Sequence, residues 1–300
     1  MNIVNNRKFF YSLSSALILL SLIALFLWGL KPGIDFTGGS GLEVEFINER
    51  LPAEEIERAY GNAGIGTVTL QNIGERGALM RFRAISDDEH RILVRQLSRN
   101  ADDPASVFVE KRFTTVGPAI GQELRWSSYK ALSLVLLFIL FYVAWAFRKV
   151  SKPVSSWKYG VVAIIALIHD VTLPIGFFAY LGQFWGVEID MLFISGLLTI
   201  LGFSVHDTIV VFDRIREKLL KERGALFEDI VERSVQETIV RSIITSLTAV
   251  IALSSVFFFG GETTRFMSLL LIFGMVIGVY TTVFIAGSLL VSLEKFGKRA

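Results

Sequence analysis

Within the apolar run from Met191 to Phe212 stand two ionisable side chains, His206 and Asp207. The run is long enough to cross a bilayer. A carboxylate at the centre of a span costs roughly 2.5 to 3.5 kcal/mol on insertion scales, so it faces a bundle interior, a partner or a water-filled path. At about 100° per residue, Ser195, Thr199, Gly202, His206 and Asp213 share one stripe of this helix, and Asp207 is turned toward Gly196, Phe203 and Arg214. The next apolar run has its own polar stripe: Arg241, Thr245, Thr248, Ala252 and Ser255. Asp207 and Arg241 sit toward the same end of consecutive spans and are expected to pair at similar depth. A carboxylate whose cationic partner comes and goes can take up and release a proton. The alternative is a static buried ion pair that only sets helix register. Secondary candidates for a proton path are His206, Thr245, Asp213 and Asp170, the last preceded by His169 and followed by Pro174. Asp213 reads as an interfacial cap.

The elements that must position these groups follow from hydropathy. The chain is 52% hydrophobic with a mean hydropathy of +0.55, and its apolar residues come in blocks, as in an integral membrane protein. Six spans are expected: Phe9–Leu30, Ser127–Phe147, Tyr159–Leu181, Met191–Phe212, Ile239–Phe259 and Phe266–Leu293. An even number puts both ends on one side. Arg7, Lys8, Arg148, Lys149, Lys152, Lys158, the base-rich stretch 214–241, Lys295, Lys298 and Arg299 mark that side as cytoplasmic. The first span lacks a small-residue cleavage site near Trp28-Gly29-Leu30 and reads as a retained anchor. Gly274 and Gly278 in the last span form a GxxxG packing face. The segment from about 213 to 238, interrupted near Gly224, is expected to be a charged amphipathic helix along the inner membrane surface. Zero cysteines exclude disulfides and thiolate chemistry, and the absence of a phosphate-binding or dinucleotide glycine motif argues against an on-board nucleotide motor.

The polar block 31–126 reads as one extracytoplasmic α+β domain between the first two spans. Gly41–Ile47 alternates as a strand, a helix runs from Pro52 to about Tyr60, and Thr67–Ile73 and Ala78–Ile85 are strands around a Gly-rich turn. Ser86 to Glu89 is a capping box opening a second helix, and Ser106–Thr115 is a last strand. That order, β-α-β-β-α-β, is the ferredoxin-like pattern. His90 is expected on a solvated helix face, since no second ligand or nucleophile accompanies it. Two glycine-rich joints, containing Gly38 and Gly39 on one side and Gly117 and Gly121 on the other, connect the domain to the spans. They read either as turns or as hinges. The remaining residues are assigned as 1–30, tail and first span, and 127–300, a five-helix bundle.

Several strings together carry a resemblance that covers the chain from Arg7 to Phe296: GFSVHDTIVVFDRIRE, ALIHDV, GIDFTGGS, TTVGPAIGQEL and ETIVRSIITSLT. In this order they resemble the SecF family of bacterial protein-export membrane subunits, of the resistance-nodulation-division superfamily. The resemblance implies a half-transporter, not an enzyme, that pairs with its homologue SecD and works beside the SecYEG channel, with SecA and YajC as associates. It implies unfolded exported polypeptide as substrate, protons as coupling ion, no other cofactor and no nucleic acid. It also implies an inner-membrane location with residues 31–126 periplasmic. The family's proton-path Asp and Arg match Asp207 and Arg241. One departure is His206, where many members carry Asn.

Overall fold

The computed structural model describes residues 2–99, 103–147, 154–222 and 224–297. Arg148, Lys149, Lys152, Lys298 and Arg299, which contribute to the expected charge asymmetry, lie outside the described residues. The chain divides into two compact units, one of residues 32–129 and one of residues 1–31 with 130–300.

The smaller unit is a four-stranded antiparallel sheet with two helices. Strands β1 (Gly39–Phe46), β2 (Thr69–Ile73), β3 (Gly77–Phe82) and β4 (Phe108–Val116) lie in the order β2-β3-β1-β4. A short helix α2 (Ile34–Thr37) precedes β1, while α3 (Ala53–Asn62) and α4 (Asp87–Leu97) follow β1 and β3. Alternation along β1 sends Leu42, Val44 and Phe46 to one face, where they are buried with Ile56, Tyr60, Met80, Leu93 and Leu97. This is the ferredoxin-like arrangement that the element order implies. The α4 capping box is formed: Ser86 Oγ accepts from the Glu89 amide, and the Glu89 carboxylate accepts from the Ser86 amide.

Arg83 also bonds the Glu89 carboxylate, and with the Ser86 amide it holds that group down at about 2. A carboxyl depressed in the folded state contributes stability above its unfolded range and loses it as pH falls toward the folded value. Wild type is therefore expected to lose more stability than Glu89→Gln between about pH 4.3 and pH 2. Denaturant unfolding of both proteins across that interval checks it, and parallel curves would contradict the assignment.

His90 does not lie on a solvated face. Its ring stacks on Phe113 of β4 with centroids 3.9 Å apart, and Nε2 is 3.1 Å from Glu110 Oε2. Phe113 supplies an apolar surface on the inner side of the helix, which a charge-based reading of α4 overlooks.

The glycine joints are packed against one another. Gly38 and Gly39 have φ of 74° and 133°, values that disfavour any side chain. A Cβ on Gly38 would stand 2.8 Å from Pro118 Cα, and one on Gly121 would stand 2.9 Å from the Gly38 amide nitrogen. Gly117 has open space around it.

The larger unit is helical. It contains α1 (Arg7–Trp28), the bulk of α5 (Pro118–Ala146), α6 (Ser156–Trp185), α7 (Met191–Lys221), α8 (Phe227–Phe259), α9 (Glu262–Tyr280) and α10 (Gly287–Gly297). The six-residue π-helical segment Thr281–Ala286 joins the last two helices. Among the described residues six helical stretches are long and apolar enough to cross a membrane, α9 to α10 counting as one. Helix α6 and the α9–α10 stretch are mostly buried within the unit, whereas α1, α5 and α8 expose most of their apolar surface.

The segment 213–238 is not one surface helix. Its first part continues α7 to Lys221 and its second opens α8 at Phe227, so the break near Gly224 separates two long helices. Their charges close a ladder: Arg214 and Lys218 both meet Glu237, at 2.6 Å for Lys218, and Arg233 meets Glu222 at 2.6 Å. Residues of the first helix and its lead-in, and of α10, are tied beside this hairpin. The amides of Ile3 and Val4 donate to the Glu232 carboxylate, while Arg7 and Lys295 share Glu228.

Candidate functional site

Helices α7 and α9 approach closely because glycine stands where they cross. A Cβ on Gly274 would lie 2.2 Å from Ile200, and one on Gly196 would lie 2.7 Å from Leu270. The expected glycine face on the last span is therefore a contact with α7. Beside this contact, between α7, α8 and α9, is a cavity of about 200 Å³ lined by Phe203, Ser204, His206, Asp207, Thr245, Ser246 and Gly278 among others.

Asp207 is mostly buried at the wall of this cavity, and His206 Nδ1 lies 3.5 Å from its Oδ1 with the imidazole exposed. Thr245 shares the cavity from α8, its hydroxyl donating to the Arg241 carbonyl at 2.9 Å. Arg241 itself is exposed on α8 and forms no ion pair with Asp207 among the described residues. The expected pair is thus not closed within this chain, since the Arg241 side chain stays on an outer face of the unit. The stripe Arg241, Thr245, Thr248, Ala252 and Ser255 is exposed along its length. Asp213 is not a cap. It is exposed well inside α7, 3.5 Å from Arg216.

Asp170 is fully buried, with its neighbour His169 nearly so. Its Oδ2 accepts from Ser204 Oγ on α7, and its Oδ1 accepts from Thr281 Oγ1 at the start of the π segment. Thr281 Oγ1 is also 2.9 Å from His169 Nδ1. One turn along α7, Thr208 Oγ1 meets Thr282 Oγ1 at 3.2 Å. The sequence points to Asp170 with His169 beside it, but not to Ser204, Thr208, Thr281 or Thr282 as its surroundings. The available signal was the i, i+4 hydroxyl pair Ser204 and Thr208 beside Thr281-Thr282.

Six membrane-length helical stretches among the described residues, with a ferredoxin-like insert after the first of them, define a multi-pass membrane protein. Residues 96–296 match the family model for the protein export membrane protein SecD/SecF, C-terminal. The chain belongs to the SecD/SecF family of protein-export membrane proteins. A protein translocase subunit SecF of Thermobaculum terrenum is 43% identical over 98% of this chain and 94% of that protein. One of Anaerolinea thermophila is 38% identical over the same shares of each, 98% and 94%. The crystal structure of SecDF from Thermus thermophilus, a translocon-associated membrane protein, superposes with a TM-score of 0.83 at 29% identity. That match covers 98% of this chain but 39% of the longer SecDF chain.

Proposed function

We propose that this chain is one half of a proton-driven unit that promotes export of unfolded polypeptides across the cytoplasmic membrane, its other half being a SecD homologue. The observation that carries this reading is the Asp207 cavity, together with the exposed polar stripe on α8 that includes Arg241. A row of polar groups facing lipid is expensive, and a second helical bundle seated there would cover it. The SecDF likeness, in which this chain matches 39% of a longer protein, supports such a partner.

In this reading Asp207 takes up a proton from the cavity, its attraction to Arg241 weakens, and the spans shift. His206 and Thr245 line the route, and Asp213 lies at its outer end. The sheet unit then moves about its joints, with Gly38, Gly39 and Gly121 acting as one clasp and Gly117 leaving room beside it. Residues 31–126 work in the periplasm and both chain ends in the cytoplasm, following the positive-inside rule. The chain is a transport subunit, not an enzyme; its coupling ion is the proton, and no other cofactor or nucleic acid enters. SecYEG supplies the channel, with SecA and YajC in the same assembly.

The test is reconstitution of the full chain with its SecD partner and the channel in proton-tight vesicles. Polypeptide release on the periplasmic side is expected to rise when a gradient is imposed and to fall back when an ionophore collapses it. Release indifferent to the gradient would remove the proton-driven reading.

A further inference from the structure

We propose that the buried His169–Asp170 pair is a second proton-binding site and that the Ser204 hydroxyl passes protons to it from the Asp207 cavity. The inference deepens the proposed function and rests on it.

Ser204 is the shared element. It lines the cavity alongside Asp207, three residues further along α7, and its Oγ donates to Asp170 Oδ2 on α6. Gly278 leaves the junction open: a Cβ there would stand 3.7 Å from Ser204 Cβ and 3.9 Å from Asp170 Oδ2. A hydroxyl carries one proton and two lone pairs, so it can accept on one side while donating on the other. In the transfer step an O–H bond forms between an incoming proton and Ser204 Oγ. The original Ser204 O–H bond breaks, and a new O–H bond forms at Asp170 Oδ2. The proton donor is the Asp207 carboxylic acid or a cavity water, nothing is oxidised or reduced, and the return path is the reverse.

The groups around the pair leave the proton as its counter-ion. From α6 only His169 faces Asp170, with Nδ1 3.2 Å from Oδ1. The π segment offers the Thr281 hydroxyl, and α9 offers Tyr280, whose ring centroid is 6.1 Å from that of His169. The Tyr280 hydroxyl is engaged by Ser14 and the Phe10 carbonyl of α1. From α7 come Ser204 in contact and, on the cavity side, His206 and Asp207. Among the described residues no Lys or Arg lies within 4.0 Å of Asp170, the one ion-pair contact being His169. His169 Nε2 is itself buried without a hydrogen-bond partner among the described residues. That nitrogen is a further place for a proton, so the pair can hold one on either residue.

Occupancy reaches the backbone through Thr281. The ionised Asp170 accepts from the Thr281 hydroxyl through Oδ1, and a proton delivered to Oδ2 takes negative charge from Oδ1 and weakens that bond at the first residue of the π-helical segment. Segments of this kind hold an alternative hydrogen-bond register close at hand.

The test uses the full chain with its SecD partner in vesicles, followed by infrared difference spectroscopy of carboxyl bands after a pH step and by gradient-driven proton flux. Asp207→Asn and Asp170→Asn assign one band each; should Asp170→Asn fail to assemble, Asp170→Glu shifts its band without removing it. Ser204→Ala is expected to keep both bands, to slow the appearance of the Asp170 band about tenfold or more, and to lower flux, with Ser204→Thr restoring the rate. An Asp170 band that never changes over the working pH range, or one whose rate is unaltered in Ser204→Ala, overturns the proposal. Full flux in Asp207→Asn would instead overturn the cavity reading, and the Asp170 band kinetics tell the two failures apart.

Discussion

Asp207→Asn in the reconstituted complex is expected to reduce gradient-driven export to the level seen with the gradient collapsed. One charge moved through 100 mV is worth about 2.3 kcal/mol, roughly a fifty-fold bias on an equilibrium, and an amide cannot collect it because it does not titrate. The expected fall is therefore about ten- to fifty-fold, with the protein still assembled, since Asn preserves the size of a side chain at the cavity wall. His206→Asn separates the two neighbours. The imidazole is exposed and lies 3.5 Å from the carboxyl, so its loss is expected to leave most of the export rate in place. Rates are read with and without ionophore. Gradient-dependent export persisting at full rate in Asp207→Asn would show that this carboxyl only shapes the helix packing.

Gly176→Ala is expected to loosen the bundle, against the usual sign for such a change. In an exposed helix interior, replacing Gly by Ala stabilises by roughly 0.5 to 1 kcal/mol. Here a Cβ on α6 would stand 2.4 Å from Ser21 Cα and 2.3 Å from its Cβ, and a backbone atom of α1 cannot rotate out of the way. The two helices must separate, and overpacking of this kind costs typically 1 to 3 kcal/mol. The clash wins over the propensity. Gly160→Ala is the control, because its Cβ would make an ordinary 3.6 Å contact with Leu140. Thermal unfolding in detergent is expected to show a lowered midpoint for Gly176→Ala and none for Gly160→Ala. Equal midpoints would mean that α1 is free to shift along α6.

These two predictions draw on different sources. Asp207 stands out in the sequence, because a carboxylate in an apolar run needs no partner in view to be conspicuous. Gly176 does not stand out, for its importance lies in Ser21, 155 positions away in a different helix. The same contrast runs through the site. The GxxxG pair of α9 was legible, but its partner Ile200 was not. Asp170 is conspicuous as a carboxyl near Pro174, whereas Ser204 and Thr281, which bond it, are ordinary hydroxyl residues until α7 and the π segment are packed beside α6. The helical period of the charged segment 213–238 points to a surface helix. Only the Glu237 contacts of Arg214 and Lys218 reveal two long helices folded back on each other.

By itself the amino-acid sequence determined the six spans, the ferredoxin-like order of the insert, the capping box at Ser86 and the presence of costly ionisable groups within apolar runs. Hydropathy, strand alternation and capping act over a few neighbouring residues, so they are written locally. The tertiary structure alone decided that Arg241 stays exposed without an ion pair to Asp207 among the described residues, that His90 stacks on Phe113, and that Asp170 joins α6 to α7 and the π segment. Those outcomes depend on which helix faces meet, and that is set by packing between residues far apart in the chain, where one missing Cβ or one hydroxyl determines the distance.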